Sequence, residues 1–399
     1  VGKRFKDNGY IEPKALIEVE GKPIIFHLID NLIIKDKDIS FIYIPYNKEY
    51  QKYNFEEKIE SKYPNYKFKF LCLENNTRGA AETIYLSLKY FISKNKETQD
   101  KPILCLDGDN FYTNDIISEW DGGNIIFTFK NFNDISKFSY VKTNDTNNII
   151  DIVEKEKISN NACVGAYGFK SYYTLIDYCK KIIDEGIMQK NEFYTSGVIK
   201  EMLNDEHSFK NIEILNKNYF SLGTPEQVNE YENPFIFDLD GTLVDTDDIY
   251  IEVWNNIMKK YKLSIDDNSF KFFIQGKNDI LFLKTFFPNI SDNEINEISI
   301  IKDELFIKYL KKYDKDIMID GAKNFMDKHK NRKMGVVTSC NRRSAEFILE
   351  KTKVGEYMQF LIASEDCNKH KPNKEPYVKA INILKNSNSY TIFEDSNSG

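Results

Sequence analysis

The sequence predicts an α/β protein with two domains. Its 399 residues exceed what a single domain usually holds, which is about 100–200 residues. From residue 1 to about Asn229, apolar β-branched runs alternate with helical patterns, the order typical of a sheet covered by helices. The pattern restarts with the short apolar run FIF at 235–237, directly before Asp238. We therefore place the boundary at 231–234 and the two domains at 1–231 and 232–399.

Four apolar runs are the clearest strand predictions in the first domain: 39–45, 66–73, 102–109 and 124–130. Between the second and third runs we predict a helix over 79–92, because Ala81, Ile84, Leu88 and Phe91 recur at helical spacing. Further strands are predicted near 139–143, 149–153 and 162–169, and helices near 171–185 and 195–204. This alternation predicts a mainly parallel sheet.

The second domain contains a long segment that predicts helices only, from 248 to about 320. Strands resume at 334–339, 360–364 and 390–395, so the helical segment is predicted to be an insertion in a second α/β sheet. Val1 stands inside what resembles a loop, and Gly399 follows closely on a strand-like run. We therefore expect both ends to be truncated.

Composition and charge exclude several classes of function. The 55 Lys and Arg residues and 62 Asp and Glu residues give a net charge of −7. A net negative charge does not indicate binding to nucleic acid or to an anionic membrane. The six cysteines include no C-x-x-C pair and only four histidines accompany them, which argues against a disulfide framework or a zinc site. Every long apolar run is broken by charge, so neither a membrane span nor a signal peptide is predicted. We expect a cytoplasmic protein whose oligomeric state, a homo-oligomer included, is left open.

Two carboxylates stand two residues apart in FDLDGTLVDT (237–246), at the end of a buried strand. Because strand side chains alternate, Asp238 and Asp240 face the same way and can share a cation. Gly241 allows the sharp turn that follows.

Polar residues also follow the other strands predicted for the second domain. Thr338 and Ser339 end the second strand, Lys371 follows the third, and Glu394 with Asp395 ends the fourth. Parallel α/β sheets bind ligands at the carboxyl ends of their strands, so these side chains should converge on one site. Each residue alone could be an ordinary cap or a solvated charge, but the ordered set favours a site.

This set resembles the haloacid dehalogenase superfamily of phosphohydrolases, and the helical insertion resembles the cap of its phosphoglycolate phosphatase and β-phosphoglucomutase branch. The resemblance implies a Rossmann-like domain in which Asp238 is the nucleophile and Asp240 the general acid and base. It also implies Mg²⁺ held by Asp238, the Asp240 carbonyl and Asp395 with help from Glu394, and phosphate bound by Lys371, Thr338 and Ser339.

Two details of the second domain depart from that family or stay open. His370 stands where the branch usually has glycine before the lysine, which leaves Lys369 and Lys374 as competitors of Lys371. Lys277 in the insertion is either a substrate-phosphate ligand or a surface lysine.

The start of the first domain has residue types that suit a triphosphate. Gly2, Arg4 and Lys14 offer a flexible turn and two cations within the segments VGKRF and EPKALIEVEGKPII. On its own this pattern is weak.

Later segments of the first domain strengthen the pattern, which resembles the nucleotide-sugar pyrophosphorylase family with its Rossmann-like, GT-A-like mixed sheet. In that family a first strand should precede Val1. The resemblance implies that Gly79 passes close to the nucleobase, that Asp109 binds Mg²⁺ with Asp107 on the same side, and that Glu154 and Lys155 hold the acceptor. It further implies that Gly165 and Glu192 line the acceptor pocket. Many relatives have a second metal-binding aspartate where this sequence has Ser221, so either Asp109 holds the metal with phosphates and water or another carboxylate substitutes.

The leading hypothesis is a bifunctional enzyme. Its first domain would transfer a nucleotidyl group from an NTP to a sugar phosphate or small-alcohol phosphate, and its second would act on a phosphomonoester. By family analogy the products would serve as activated precursors of surface polysaccharide. The alternatives are a single-activity phosphatase or phosphomutase whose first domain binds nucleotide as a regulator, and a scaffold with two decayed sites.

Overall fold

The structure is a computed structural model that describes residues 2–34, 39–94, 99–133, 136–274, 279–385, 387 and 389–395. Lys277 lies outside these residues. The chain divides into two compact units, Val1–Asn229 and Glu230–Gly399. Each unit has its own sheet and core, and the two are described separately below.

The first unit begins with short elements and continues as alternating strands and helices. Its elements in chain order are α1 (Lys3–Asp7), β1 (Glu18–Val19), β2 (Lys22–Pro23), α2 (Ile24–Asp30), β3 (Ile42–Asn47), α3 (Phe55–Lys62), β4 (Phe68–Leu73), α4 (Ala80–Lys94), β5 (Ile103–Leu106), β6 (Asn110–Tyr112), α5 (Ile116–Glu119), β7 (Ile125–Lys130), β8 (Ser139–Thr143), β9 (Ile149–Glu154), β10 (Asn161–Phe169), α6 (Tyr172–Asp184), α7 (Thr195–Asn204), β11 (Lys210–Glu213), β12 (Tyr219–Ser221) and α8 (Pro225–Glu232).

The main sheet of this unit is mixed rather than mainly parallel. Its strand order is β11-β7-β10-β8-β9, with β5 also paired to β10. β11 and β7 are parallel, but β10 runs antiparallel to β5, β7 and β8. The reason is connectivity, because β8, β9 and β10 follow one another through short connections, and short connections join antiparallel neighbours. β3 with β4 and β6 with β12 form separate two-stranded sheets.

The core of the first unit lies between the main sheet and helices α4, α6 and α7. Ala81 and Leu88 of α4 pack with Leu175 and Ile182 of α6 and with Val198 of α7. The wholly buried strand β10 supplies further apolar side chains to this core. These contacts hold β10, which contains the predicted residue Gly165, and β5, which precedes Asp107.

The second unit contains a parallel sheet and a mostly helical insertion. Its elements in chain order are β13 (Phe235–Phe237), α9 (Asp247–Met258), α10 (Asp267–Phe273), α11 (Asp279–Phe286), α12 (Asp292–Lys312), α13 (Ala322–Lys328), β14 (Met334–Val337), α14 (Arg342–Lys351), β15 (Met358–Ile362), α15 (Glu375–Ile383) and β16 (Thr391–Phe393). The strand order is β15-β14-β13-β16, with every pair parallel.

Alternating side chains bury both faces of this sheet. Phe235 and Phe237 of β13 join one cluster with the helical insertion, whereas Ile236 joins a second cluster with Ala380 of α15. Such burial on two faces is the usual environment of a parallel sheet. All four strands therefore end at one edge, where Asp238, Thr338 and Glu394 follow directly. Among the described residues, no helix combines the length and apolarity that crossing a membrane requires.

Candidate active sites

In the first unit, the Asp107–Asp109 turn follows β5 and is tied to two other segments. The Asp107 N–H donates to the Gly165 carbonyl at 2.8 Å, and the Leu222 N–H donates to the Asp109 carbonyl at 2.7 Å. The turn is therefore held between β10 and the residues after β12. These backbone bonds position both carboxylates.

Lys14 forms an ion pair with Asp109 through its Nζ and the carboxylate Oδ2. The two side chains are only 20% and 27% exposed. The same carboxylate lies over Gly223, since a Cβ built there would be 2.8 Å from Oδ2. The structure thus brings together Lys14 and Asp109, which are distant in sequence, beside the segment that contains Ser221.

Protein atoms surround the Asp107 carboxylate closely, but the residue remains accessible to solvent. Burial among protein atoms raises the pKa of Asp107, the neighbouring Asp109 and Glu154 carboxylates raise it further, and Lys14 opposes them. Yet the residue is exposed to solvent. Because Asp107 is exposed, solvent screens part of this effect.

The position of the Asp107 carboxylate requires a residue without a side chain at position 165, which is Gly165. Its backbone has a φ of +77°, and a Cβ there would overlap the Asp107 carboxylate and come within 2.6 Å of Asn110 Nδ2. The sequence-based interpretation placed Gly165 in an acceptor pocket. The structure adds that its missing side chain makes room for Asp107.

Replacing Gly165 by alanine should lower the free energy of unfolding by about 1–3 kcal/mol, because a left-handed backbone and a carboxylate contact both oppose the methyl group. Denaturant unfolding would measure the loss. Gly186→Ala is the matched control, because Gly186 has a φ of +67° but open space around the new Cβ. Equal losses in the two variants would contradict the contact with Asp107.

Glu154 and Lys155 lie at the end of β9, beside Tyr194. Glu154 is buried, and its Oε2 accepts hydrogen bonds from the hydroxyls of Ser139 and Ser196. Lys155 Nζ contacts the Tyr194 hydroxyl and lies 3.9 Å from Glu154 Oε1. Burial lowers the pKa of Lys155, but Tyr194 and the nearby carboxylates outweigh it and raise the pKa above its ordinary value. The lysine therefore stays charged.

Sequence reasoning missed the partners of this pair. Ser139 belongs to β8, whereas Tyr194 and Ser196 lie at the start of α7, and each is an ordinary residue in its own segment. Glu192, which was predicted to contact the acceptor, is exposed and raises the pKa of Lys155 only as the last of several causes.

The remaining predicted residues of the first unit lie in two places. Gly2 precedes α1 with a φ of +76°, and its added Cβ would lie 3.5 Å from Lys14 Cβ, so the two are neighbours. Arg4 is exposed on α1. Gly79 has a φ of +141° and packs directly against the backbone of Phe193, which gives this glycine a packing role.

Ser221 is buried in β12, where it pairs with Asn110 of β6. The Asn110 side chain donates to the Val164 carbonyl at 3.0 Å, while its Oδ1 is buried with no hydrogen-bond partner among the described residues. Ser221 therefore stands next to the Asp109 turn, as the predicted position of a second ligand requires, but it offers a hydroxyl in place of a carboxylate.

In the second unit, Asp238 meets Lys371 at the edge of the parallel sheet. Asp238 is 5% exposed, and its N–H donates to the Phe393 carbonyl at 2.9 Å. Lys371 Nζ lies 3.0 Å from Asp238 Oδ1 and 2.9 Å from Glu394 Oε1. Lys369 and Lys374, the competitors left open by the sequence, are exposed.

The contacts of Lys371 are electrostatic rather than aligned hydrogen bonds. Its Nζ and Glu394 Oε1 are both buried, yet within the described part of the chain neither has a partner with hydrogen-bond geometry. The short distances and the poor alignment are compatible, because opposite charges attract whatever the N–H direction. The N–H groups of this buried ammonium therefore remain able to donate to a phosphoryl oxygen.

Asp240 lies beside Asp238 and accepts a hydrogen bond from the Thr246 hydroxyl. Burial, followed by the nearby Asp238 and Asp247, raises the pKa of Asp240 to about 6, and Thr246 and Lys371 oppose that rise. A carboxyl group with a pKa near neutrality can exchange a proton with substrate.

Asp240→Asn should raise the thermal midpoint of the metal-free second domain at pH 7.5 by about 4 °C, corresponding to about 1–2 kcal/mol. The folded-state pKa lies above the ordinary value of 3.8, so the charged form costs stability. That cost develops as the pH rises from about 4 to 6 and is complete at pH 7.5. Thermal unfolding with a chelator at pH 5.0 and 7.5 measures the midpoints of both proteins. The increase in midpoint of Asp240→Asn over the wild type should be smaller at pH 5.0.

Asp314→Asn, which changes an exposed aspartate of the same domain, is the control and should not shift the midpoint. A midpoint of Asp240→Asn that stays at the wild-type value at pH 7.5 would contradict the raised pKa of Asp240.

Gly241 and Asp395 fit together at the turn after Asp240. Gly241 has a φ of +78°, and a Cβ there would lie 2.5 Å from Asp395 Oδ2. Asp247, which the sequence interpretation missed, is half-buried nearby. Burial, then Asp245 and later Asp395, raises the pKa of Asp247 to about 6. The acidic run that follows FDLDGTLV was the available signal for this residue.

Thr338 is 5% exposed, and its N–H donates to the Ile362 carbonyl at 2.9 Å. Its Oγ1 accepts from the Cys340 N–H at 3.0 Å, so the hydroxyl proton is oriented away from that bond. Ser339 is exposed. The fold thus places Thr338 at the end of β14, the neighbour of β13 in the sheet.

Comparison with known proteins identifies the first unit. Residues 1–226, more than half of the chain, match the family model described as "Nucleotidyl transferase". The chain belongs to the nucleotidyl transferase family. Residues 235–399 match the model described as "Haloacid dehalogenase-like hydrolase". The chain thus contains a nucleotidyl transferase domain, followed by a second unit that is similar to haloacid dehalogenase-like hydrolases, as its motifs predicted.

Individual relatives are similar to different shares of the chain. A protein named "Bifunctional protein GlmU" from Methanocaldococcus jannaschii is 26% identical over 273 residues, which cover 67% of this chain and 59% of that protein. "Pyrophosphatase PpaX" from Bacillus cereus (strain B4264) is 27% identical over 165 residues, covering 38% of this chain and 68% of that protein. The solved nucleoside-diphosphate-sugar pyrophosphorylase from Vibrio cholerae RC9 is 19% identical with a TM-score of 0.50, covers 56% of this chain and 93% of its own, and shows the shared fold.

Both families generally use Mg²⁺, and the residues present fit that ion. Hard cations bind carboxylate oxygens, which Asp109 offers in one domain and Asp238, Glu394 and Asp395 offer in the other. As their side chains stand, the described residues contain no group of three or more Asp, Glu, His or Cys arranged to hold a metal. In the second unit the Lys371 ammonium lies against Asp238 and Glu394, as a counter-ion would.

Proposed function

We propose that the chain is a bifunctional enzyme with two separate phosphate chemistries. Its nucleotidyl transferase domain transfers a nucleotidyl group from an NTP to a sugar phosphate or small-alcohol phosphate and releases pyrophosphate. Its phosphatase domain hydrolyses a phosphomonoester through an aspartyl-phosphate. One observation carries the proposal: each domain holds a lysine, Lys14 or Lys371, in contact with a carboxylate that follows a strand.

In the nucleotidyl transferase domain, an oxygen of the acceptor phosphate attacks the α-phosphorus. A new P–O bond forms, the bond to the β-phosphate breaks, and pyrophosphate leaves with the electron pair. Lys14 and Arg4 offset the charge of the triphosphate, while Lys155 attracts the acceptor phosphate. Gly2 and Gly79 shape the nucleotide side, and Glu154, Gly165 and Glu192 shape the acceptor side. Mg²⁺ bound by Asp109 would neutralise the leaving pyrophosphate.

In the phosphatase domain, the Asp238 carboxylate attacks phosphorus while the bond to the leaving alcohol breaks. Asp240 donates its proton to the leaving oxygen, then accepts a proton from the water that hydrolyses the aspartyl-phosphate. Lys371, the Thr338 hydroxyl and Ser339 bind the phosphoryl oxygens. Mg²⁺ held by Asp238, the Asp240 carbonyl, Glu394 and Asp395 would reduce the repulsion between the two anions.

We further propose a cytoplasmic role in making activated precursors of surface polysaccharide. The motifs shared with nucleotide-sugar pyrophosphorylases support a phosphorylated sugar or polyol as acceptor. A relative of the second domain is named "Validoxylamine A 7'-phosphate phosphatase", which is 25% identical over 167 residues. That name supports a phosphomonoester of a small organic molecule as substrate of the phosphatase domain.

The test is to incubate the whole chain with Mg²⁺, each of CTP, UTP, dTTP and GTP in turn, and a panel of phosphorylated sugars and polyols. Pyrophosphate and phosphate are measured separately. Release of pyrophosphate that needs both an NTP and an acceptor supports the transferase. Phosphate release without pyrophosphate would favour the alternative that Ser221 motivates, a phosphatase or phosphomutase with a regulatory nucleotide-binding domain. Neither release would contradict both activities.

A further inference from the structure

Lys371 of the second unit is a buried cation that no aligned hydrogen bond holds. Its side chain is 5% exposed, and its Nζ has no partner with hydrogen-bond geometry in the described part of the chain. Asp238 at 3.0 Å and Glu394 at 2.9 Å attract the ammonium and offset part of the cost of burying it. Both carboxylates take part in the proposed reaction, Asp238 by bonding to phosphorus and Glu394 as a ligand of Mg²⁺. An attraction that the reaction leaves unchanged would keep Lys371 in place throughout.

The aromatic ring of Tyr377 provides such an attraction. Lys371 Nζ lies over this ring, 5.2 Å from its centroid. The face of an aromatic ring is partly negative, and it attracts a cation most strongly where water is excluded. Because the ring attracts the charge without accepting a directed hydrogen bond, the N–H groups of the ammonium stay available for phosphoryl oxygens.

The loop that contains Lys371 is tied to the helix that contains Tyr377. Tyr377 lies in the first turn of α15, next to Glu375 near the start of the helix. The Glu375 carboxylate accepts hydrogen bonds from the N–H groups of Asn368 at 2.9 Å and Lys369 at 3.0 Å. The Tyr377 ring also packs against the buried cluster on that face of the sheet. Backbone anchoring and core packing thus fix the ammonium and the ring relative to each other.

We propose that Tyr377 is a positioning residue, whose ring holds the Lys371 ammonium at the phosphate-binding site through a cation–π contact. The ring carries this role and the hydroxyl does not. The hydroxyl is buried without a partner among the described residues, so removing it sacrifices no hydrogen bond. This inference rests on the proposed phosphatase function, but binding of phosphate can be measured without turnover.

The test compares Tyr377→Phe with Tyr377→Leu in the whole chain with Mg²⁺. Tyr377→Phe keeps the ring and should match the wild type in hydrolysis of p-nitrophenyl phosphate and in binding of inorganic phosphate. Tyr377→Leu should raise the KM of the ester and the Kd of phosphate by about tenfold, the scale of a cation–π contact away from water. Its kcat should stay within about twofold, because the contact acts on bound substrate and transition state alike. Equal losses in the two variants would assign the effect to the hydroxyl and overturn the inference.

Pentafluorophenylalanine at position 377 separates the charge of the ring face from its packing. Fluorination keeps the ring flat and close to its size but reverses the sign of the charge on its face. This variant should therefore bind phosphate at least as weakly as Tyr377→Leu, while its thermal midpoint stays close to that of Tyr377→Phe. Phosphate binding equal to that of Tyr377→Phe would show that the ring acts through packing alone, and would overturn the inference.

Tyr261→Leu is the matched control. The Tyr261 ring faces Lys260 Nζ at 5.0 Å and packs against the core of the helical insertion, but the 12 residues of α9 separate it from the turn after Asp240. Its loss should leave the KM and the Kd of phosphate unchanged, and a rise equal to that of Tyr377→Leu would overturn the inference. A wild type that binds phosphate without hydrolysing the ester would contradict the phosphatase proposal, and the binding comparison would then decide the inference. A wild type that does neither would contradict both.

Discussion

Replacing Asp238 by asparagine should reduce phosphomonoester hydrolysis by at least about a thousandfold and leave nucleotidyl transfer within twofold of the wild type. The amide is a poor nucleophile, and it also removes the negative charge that Lys371 faces at 3.0 Å. Loss of a nucleophile usually lowers the catalytic rate by several orders of magnitude, because the other catalytic groups cannot act once the first step of the reaction is missing.

The Asp238→Asn variant should still fold. Its side chain keeps the shape of aspartate, and its Oδ1 can still accept the hydrogen bond from the Leu239 N–H. The buried Lys371 keeps Glu394 as its counter-charge at 2.9 Å. Thermal unfolding should therefore show a shift of no more than a few degrees, and the loss of activity can be attributed to chemistry.

Phosphate release from p-nitrophenyl phosphate and pyrophosphate release from an NTP with its acceptor are measured on the same preparation. Asp314→Asn, an exposed aspartate of the same domain, should retain both activities. Retention of more than a tenth of the hydrolysis by Asp238→Asn would assign the nucleophile to another residue.

The sequence predicted those parts of the fold that depend on local pattern. β13 and β14 begin at the predicted residues, because continuous apolar runs followed by polar residues mark buried parallel strands. α4 begins within one residue of its prediction for a similar reason, its apolar face recurring at helical spacing. Such elements carry their signal within a single segment.

Features that depend on pairing between distant segments could not be predicted from local pattern. The mixed direction of the first sheet was implied only by the family resemblance, because it follows from which strands β10 meets and no residue within β10 specifies those partners. The short strands β6 and β12 exist only because they pair with each other. Two or three residues provide too little periodicity for a strand prediction.

The candidate sites also contain some features that a local pattern predicts and others that depend on contacts between distant segments. Asp238 and Asp240 were predictable because a strand end and a two-residue spacing put them on one side. The sequence favoured Lys371 but left Lys369 and Lys374 as competitors, since all three are lysines in one polar segment, and only the path of the loop shows which one contacts Asp238.

Asp109→Asn should lower nucleotidyl transfer by about 10²–10³-fold and leave phosphomonoester hydrolysis unchanged. Asparagine keeps the size that fits over Gly223, so the turn should be preserved. It loses the charge that pairs with Lys14 and that would bind the metal. The triphosphate and the acceptor phosphate, both anions, then approach each other without the positive charge that a metal bound by Asp109 would supply.

Pyrophosphate release measures the effect, and phosphate release from p-nitrophenyl phosphate reports on the other domain. Asp145→Asn changes an exposed aspartate of the same domain and should retain transfer. Together with Asp238→Asn, this variant makes a reciprocal pair in which each substitution removes one activity. If Asp109→Asn removed both activities, the sites would not act independently. If it removed neither, transfer would proceed without the Asp109 carboxylate, and another group would have to hold the metal of the nucleotidyl transfer reaction.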